Sequence, residues 1–84
     1  MDAVYNYAKL YTANTPDITF SGTAPQVADA LMVPTAASGT VTLTLPTGGT
    51  VAISVPASPV LNPIRIRFTA ATLTAGVNII ALKE

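Results

Sequence analysis

Apart from hydroxyls, the chain offers little to chemistry: four carboxylate side chains, four cations and three tyrosines, with no histidine and no cysteine. Without those two residue types, neither a Ser-His nor a Cys-His nucleophile can be assembled. The commonest transition-metal ligands are missing with them, and disulfides are excluded. The carboxylates are Asp2, Asp17, Asp29 and Glu84. Asp17 and Asp29 could meet as a hydrolase pair or a weak calcium site, but aspartates of this kind far more often cap a turn or start a strand. Gly48-Gly49 has no helix pattern after it and no nearby lysine, so it does not read as a phosphate loop. The expectation is a protein that is not an enzyme, with no metal, cofactor or small-molecule substrate.

The remaining chemical candidates are surfaces. Arg65 and Arg67 share one face of an alternating run, and Tyr5, Tyr7 and Tyr11 share a face if their segment is extended. Tyrosines can stack bases, yet four cations balanced by four acids cannot build the footprint that neutralises many phosphates. No nucleic-acid partner is expected. Arginine forks suit carboxylates, on a partner or on the same sheet. Tyrosine buries a large ring while keeping its polar tip satisfied, which suits an interface as well as a core. Tyr5, Tyr7, Tyr11, Arg65 and Arg67 are therefore the candidate protein-interface residues.

Size and composition point the same way. A domain of 84 residues buries only roughly 60–65% of the surface its unfolded chain exposes. Small scaffolds compensate with disulfides, a metal or partners, and here partners remain. Charged residues make up 10% of the chain and apolar ones 50%, against about 25% charged in ordinary soluble domains. Net charge is zero, a state in which uncovered surfaces associate. The polar surface must come largely from threonines, including those at 12, 15, 19, 23, 35, 40, 42, 44, 47 and 50. Seven prolines interrupt every apolar stretch, so no membrane span is expected. The first seven residues lack the basic start and apolar core of a secretory signal.

The elements that must position these residues are strands. Val41, Leu43 and Leu45 alternate with Thr40, Thr42 and Thr44, and Val51, Ile53 and Val55 alternate with Thr50, Ala52 and Ser54. Pro46-Thr47-Gly48-Gly49 lies between them, so residues 39–55 predict a β-hairpin with an apolar inner and a hydroxyl outer face. A third strand is predicted over 64–69, with Ile64, Ile66 and Phe68 inward, after a proline-fixed loop over 56–63. Residues 77–82 predict a strand apolar on both faces, hence central or covered by a neighbour. Residues 28–33 and 17–20 predict two shorter strands. The stretch 4–11 is compatible with a strand or with two helical turns. The fold class expected is all-β: a small antiparallel β-sandwich or barrel, jelly-roll-like, over residues 17–84 with an N-terminal arm over 1–16.

From Ala28 onward the order of short motifs resembles a family of small tailed-bacteriophage head proteins, including head spike base proteins of phages and gene transfer agents. The motifs are Ala28-Asp29-Ala30-Leu31-Met32-Val33-Pro34, Gly39-Thr40-Val41-Thr42-Leu43, Gly48-Gly49-Thr50-Val51, Val55-Pro56-Ala57, Pro63-Ile64-Arg65-Ile66 and Ala75-Gly76-Val77-Asn78-Ile79-Ile80-Ala81-Leu82. The chain departs at Ser58-Pro59 and over Thr69–Thr74. The resemblance implies a β-domain on the outer surface of the capsid, a cement, decoration or spike-base protein bound to the major capsid protein and to copies of itself. The rival expectation is a receptor- or glycan-binding β-module of a phage fibre or adhesin, against which stands the absence of tryptophan and of aromatic loops. A subunit of a non-viral fibre or shell has the same sequence features.

Overall fold

The computed structural model describes residues 4–20, 26–34 and 37–84; Asp2, Thr23, Thr35 and the first residues of the expected arm lie outside them. Seven strands form two antiparallel sheets: β1 (Tyr7–Tyr11), β2 (Ala30–Val33), β3 (Gly39–Thr44), β4 (Thr50–Val55), β5 (Val60–Ile64), β6 (Ala70–Leu73) and β7 (Ile79–Lys83). One sheet has the order β1-β7-β2-β5 and the other β4-β3-β6. No helix occurs among the described residues. The all-β sandwich expected from the alternating pattern is the fold.

The topology is a long hairpin folded over on itself. Its tip is the β3–β4 hairpin, paired in unbroken register from Gly39↔Val55 to Thr44↔Thr50. Leu45 N–H donates to Gly49 C=O (2.7 Å) and Gly48 N–H to Leu45 C=O (2.9 Å), while Gly48 has φ +97°. That is a type I turn with Pro46 at its second position, followed by a left-handed glycine, a three-residue loop that matches strand twist. Below the tip the rungs continue as Val33↔Val60 and Leu31↔Ile64, Ala28↔Phe68 and Thr15↔Ala71, and Tyr11↔Ile79 to Tyr7↔Lys83. Early segments thus pair with late ones throughout, and the ribbon is wrapped so that β2 also meets β7 and β3 also meets β6. With the Thr15 segment standing beside β6, this is jelly-roll order.

The core lies between the sheets. Leu31, Val33, Ile79 and Ala81 of one sheet and Val41, Leu43, Val55 and Ala71 of the other are buried, with Ile18, Ala28, Phe68 and Val77 closing the gaps. Phe68 is the largest fully buried side chain. It sits at the corner where the ribbon bends between sheets. Ala28 N–H donates to Phe68 C=O (2.9 Å) and Phe68 N–H to Ala28 C=O (3.1 Å).

Several expectations are corrected. The predicted 64–69 strand lies earlier, at Val60–Ile64, because Phe68 leaves the ladder to pair with Ala28. Pro63 is tolerated since β5 is a sheet edge, and the register shift between Leu31 and Val33 absorbs it. Alternation survives all the same, with Ile64 and Ile66 packed on the core and Arg65 and Arg67 exposed. Residues 17–20 form no strand; only Ile18 is buried there, in the core cluster, its N–H donating to Thr69 C=O (3.0 Å) and its C=O accepting from Gln26 N–H (2.6 Å). Strand β6 was not predicted, since Ala70-Ala71-Thr72-Leu73 has too little apolar bulk to announce itself. The ambiguous 4–11 stretch is extended, and its Tyr7–Tyr11 part forms edge strand β1. Strand β7 is central, between β1 and β2.

Phe68→Ala should cost about 3–5 kcal/mol by emptying the corner, read as a lower urea midpoint with an unchanged slope. At Gly39 an added Cβ would lie 2.7 Å from Thr74 Cβ and 3.0 Å from Val77 Cγ2. Thr74 cannot easily move away, because its hydroxyl accepts from Thr40 N–H (2.9 Å) and donates to Thr40 C=O (3.2 Å). Gly39→Val should therefore destabilise by about 1–3 kcal/mol, as overpacking does, and a melt equal to wild type would refute that crowding.

Candidate protein-binding surface

Strand β7 is apolar on both faces, and the register shows what each face meets. Ile79 and Ala81 point into the core with Leu31. On the outer face Ile80 stands opposite Leu10 on one side and Met32 on the other. An apolar row, Leu10–Ile80–Met32, therefore crosses three strands on the side of the sheet away from the core. Leu10 is 53% exposed; Ile80 and Met32 are half-buried. The next row, Ala8–Leu82–Ala30, is also apolar, but of its members only Ala8 is exposed, Leu82 and Ala30 being buried. Further exposed hydrophobics lie in or next to the same sheet: Tyr7 (46%) in β1, Leu61 (66%) in β5 and Val4 (71%) just before β1. Both lateral edges of the four-stranded sheet thus carry apolar side chains into water, which a free monomer avoids in contiguous patches.

At one end of this sheet the charges gather. Asp29 accepts from the Glu84 N–H (2.9 Å) and pairs with Arg67 Nε (3.5 Å). Glu84 Oε1 in turn meets an Arg65 guanidinium nitrogen at 3.4 Å. Two arginines and two carboxylates thereby form one chain around the end of β7, where Lys83 stands opposite Tyr7. The arginine side chains are 63% and 75% exposed, so these pairs contribute little to stability and leave donors facing water. Asp29 is thus engaged in holding the chain end, and among the described residues no group of three or more acidic, histidine or cysteine side chains could hold a metal.

The tyrosines divide. Tyr11 packs back on its own domain: its hydroxyl donates to Thr19 C=O (2.6 Å) and accepts from Thr19 N–H (3.0 Å), and its ring packs on the core. Lys9 lies over that ring at 5.5 Å and donates to Thr19 Oγ1 at 3.3 Å. Tyr7 rests at a tilt against Phe20, ring centroids 6.2 Å apart, yet stays partly exposed. Tyr5 is half-buried just before β1. Of the five residues expected at an interface, Tyr7, Arg65 and Arg67 come to one end of the sheet, beside Tyr5. Tyr11 stands apart, at the far end of β1. Sequence reading overlooked the outer row; its signal was the both-face apolarity of Ile79-Ile80, which becomes a surface only once β1 and β2 are known to flank it.

Tyr11→Phe removes both bonds to Thr19 and should cost about 1–2 kcal/mol. Joint replacement of Arg65 and Arg67 by alanine should cost under about 1 kcal/mol. Urea unfolding of the two variants separates a structural tyrosine from surface arginines, and the reverse ranking would contradict this assignment. Compared with protein families, curated proteins and solved structures, the chain matches none of them.

Proposed function

We propose that this chain is a non-catalytic structural protein of a tailed-phage virion, a capsid cement or decoration protein or a head spike base. In this reading it binds the outer capsid surface through the major capsid protein and through copies of itself. The observation that carries the reading is the Leu10–Ile80–Met32 row on the outer face of the four-stranded sheet, with exposed Leu61 in the same sheet and exposed Val4 just before β1. A small domain with 10% charged residues and no net charge gains most by covering such a face. Motif order adds the resemblance to phage head proteins. Jelly-roll order is compatible with capsid, lectin and other roles alike, so it does not choose between them.

The mechanism that follows is linkage. A protein that binds the assembled lattice and not its dissociated subunits stabilises the lattice by mass action, and many identical sites let modest contacts suffice. The apolar row would supply the buried area, and Arg65 and Arg67, only loosely held by Glu84 and Asp29, would turn to acidic groups of the shell.

Co-sedimentation with purified capsids tests this directly. Leu10→Asp, at an exposed position that leaves the core intact, should lower capsid occupancy at least about tenfold, the equivalent of about 1.4 kcal/mol. Joint replacement of Arg65 and Arg67 by alanine should weaken attachment and flatten its salt dependence. Wild-type protein that ignores capsids but is retained on a glycan array would transfer the assignment to the receptor-binding module.

A further inference from the structure

Among the described residues the two sheets have four lateral strands, β1, β5, β4 and β6, and three of their edges are protected by recognised means. On β1, Lys9 stands at the centre of the strand, so self-pairing there would oppose like charges. On β5, Pro63 removes a donor and the register shift breaks the ladder. The outer edge of β6 is covered by the segment after β1. Thr15 exchanges N–H···O=C bonds with Ala71 (2.8 and 2.9 Å), Ile18 N–H donates to Thr69 C=O, and Asn14 Oδ1 accepts from Leu73 N–H (2.8 Å).

Strand β4 has none of these devices. Thr50-Val51-Ala52-Ile53-Ser54-Val55 contains no charge and no proline, pairs with β3 without a bulge, and makes no other backbone hydrogen bond among the described residues. Since Leu45 and Gly49 form a bonded pair at the turn, ladder alternation turns the N–H and C=O of Val51, Ile53 and Val55 toward β3. Those of Thr50, Ala52 and Ser54 point out of the sheet. Val51 and Ile53 are only half-buried, although Val41 and Leu43 opposite them are fully buried. The inner face is left uncovered at this edge.

We infer that β4 pairs antiparallel with β4 of a second copy about a two-fold axis through Ala52, joining two three-stranded sheets into one. The strand is its own complement in this register. Ala52 meets Ala52 of the second copy, Thr50 meets Ser54, and Val51 meets Ile53. Inner residues oppose inner ones and hydroxyl-face residues oppose their like, as a two-fold perpendicular to the sheet requires. All three outward-facing residues fall in bonded pairs, giving about six new backbone hydrogen bonds. Shifting the register by two residues one way brings Pro56, which has no N–H, opposite Thr50 and loses part of the ladder; the opposite shift sets Ser54 against Gly48, which lies in the hairpin turn and not in the strand. No like charges meet in the central register. The second copy, and not a foreign strand, is the occupant because face, charge and hydrogen-bonding complementarity are all present within one strand. This deepens the self-association contained in the proposed function and is tested without capsids, so either can fail alone.

The chain contains no cysteine, so a single Ala52→Cys gives an unambiguous probe. Bonded antiparallel partners have Cα atoms about 5.5 Å apart, inside the disulfide range of about 4.4–6.8 Å. Mild oxidation should give a covalent dimer of Ala52→Cys and not of Leu10→Cys on the β1 side. Wild type should show a concentration-dependent dimer by light scattering. Ala52→Lys, which opposes two ammonium groups at the axis, should weaken it at least about tenfold with an unchanged circular dichroism spectrum. A wild type monomeric at all concentrations, a dimer undiminished in Ala52→Lys, or cross-linking through Leu10→Cys in place of Ala52→Cys would overturn the inference.

Discussion

The rung between Ala28 and Phe68 is the constraint on which the rest of this fold depends. A ribbon of paired strands has apolar residues on one face and must bury them against something; with no cysteine to staple it, it buries them against itself. It does so by bending. At the bend the two backbones exchange both hydrogen bonds, so no polar group is lost where the sheets part, and Phe68 drops its ring into the space between them. A full aromatic ring at that point fills part of the gap between the sheets, and the aliphatics of both faces pack around it.

The second constraint is the treatment of edges in a protein with very few charges. Folded sheets ordinarily blunt their edges with lysines, prolines, bulges or cover. This chain uses each once: Lys9, Pro63 with its register shift, and the Asn14–Ile18 crossing over β6. The crossing serves two sheets, since the segment that supplies β1 to one continues onto the edge of the other. Hydroxyls replace charges on the outer face of the hairpin, where they satisfy water without forbidding contact. Such a surface resists little when another surface approaches. The apolar row over Leu10, Ile80 and Met32 and the neutral edge of β4 are consequences of the same sparing use of charge.

What could be read from residues alone depended on contrast. The hairpin over Gly39–Val55 was legible almost to its bounds because its aliphatics and hydroxyls alternate strictly and its turn is glycine- and proline-marked. The exposure of Arg65 and Arg67 was legible from the same alternation, even though the strand expected to carry them lies several residues earlier. Strand β6 was not legible, because two alanines and a threonine have no pattern until β3 and the Thr15 segment take them in. The double role of Tyr11, ring on the core and hydroxyl on Thr19, was equally hidden, since the three tyrosines have identical spacing whether they dock on a neighbour or on their own domain.

Taken by itself, the sequence determined the all-β class, the inner and outer faces of the hairpin, that the last strand would be covered on both faces or central, and the poverty of reactive groups. These are properties of single side chains and of period-two order, which the chain carries wherever it goes. Tertiary structure decided which strands became edges, that Pro63 could lie inside one, that Asp29 and Glu84 would gather the arginines, and that Leu10, Ile80 and Met32 would form a row. Each of those depends on pairing between segments distant in the chain. Register is chosen by the summed burial of both partners, and no single segment contains that sum.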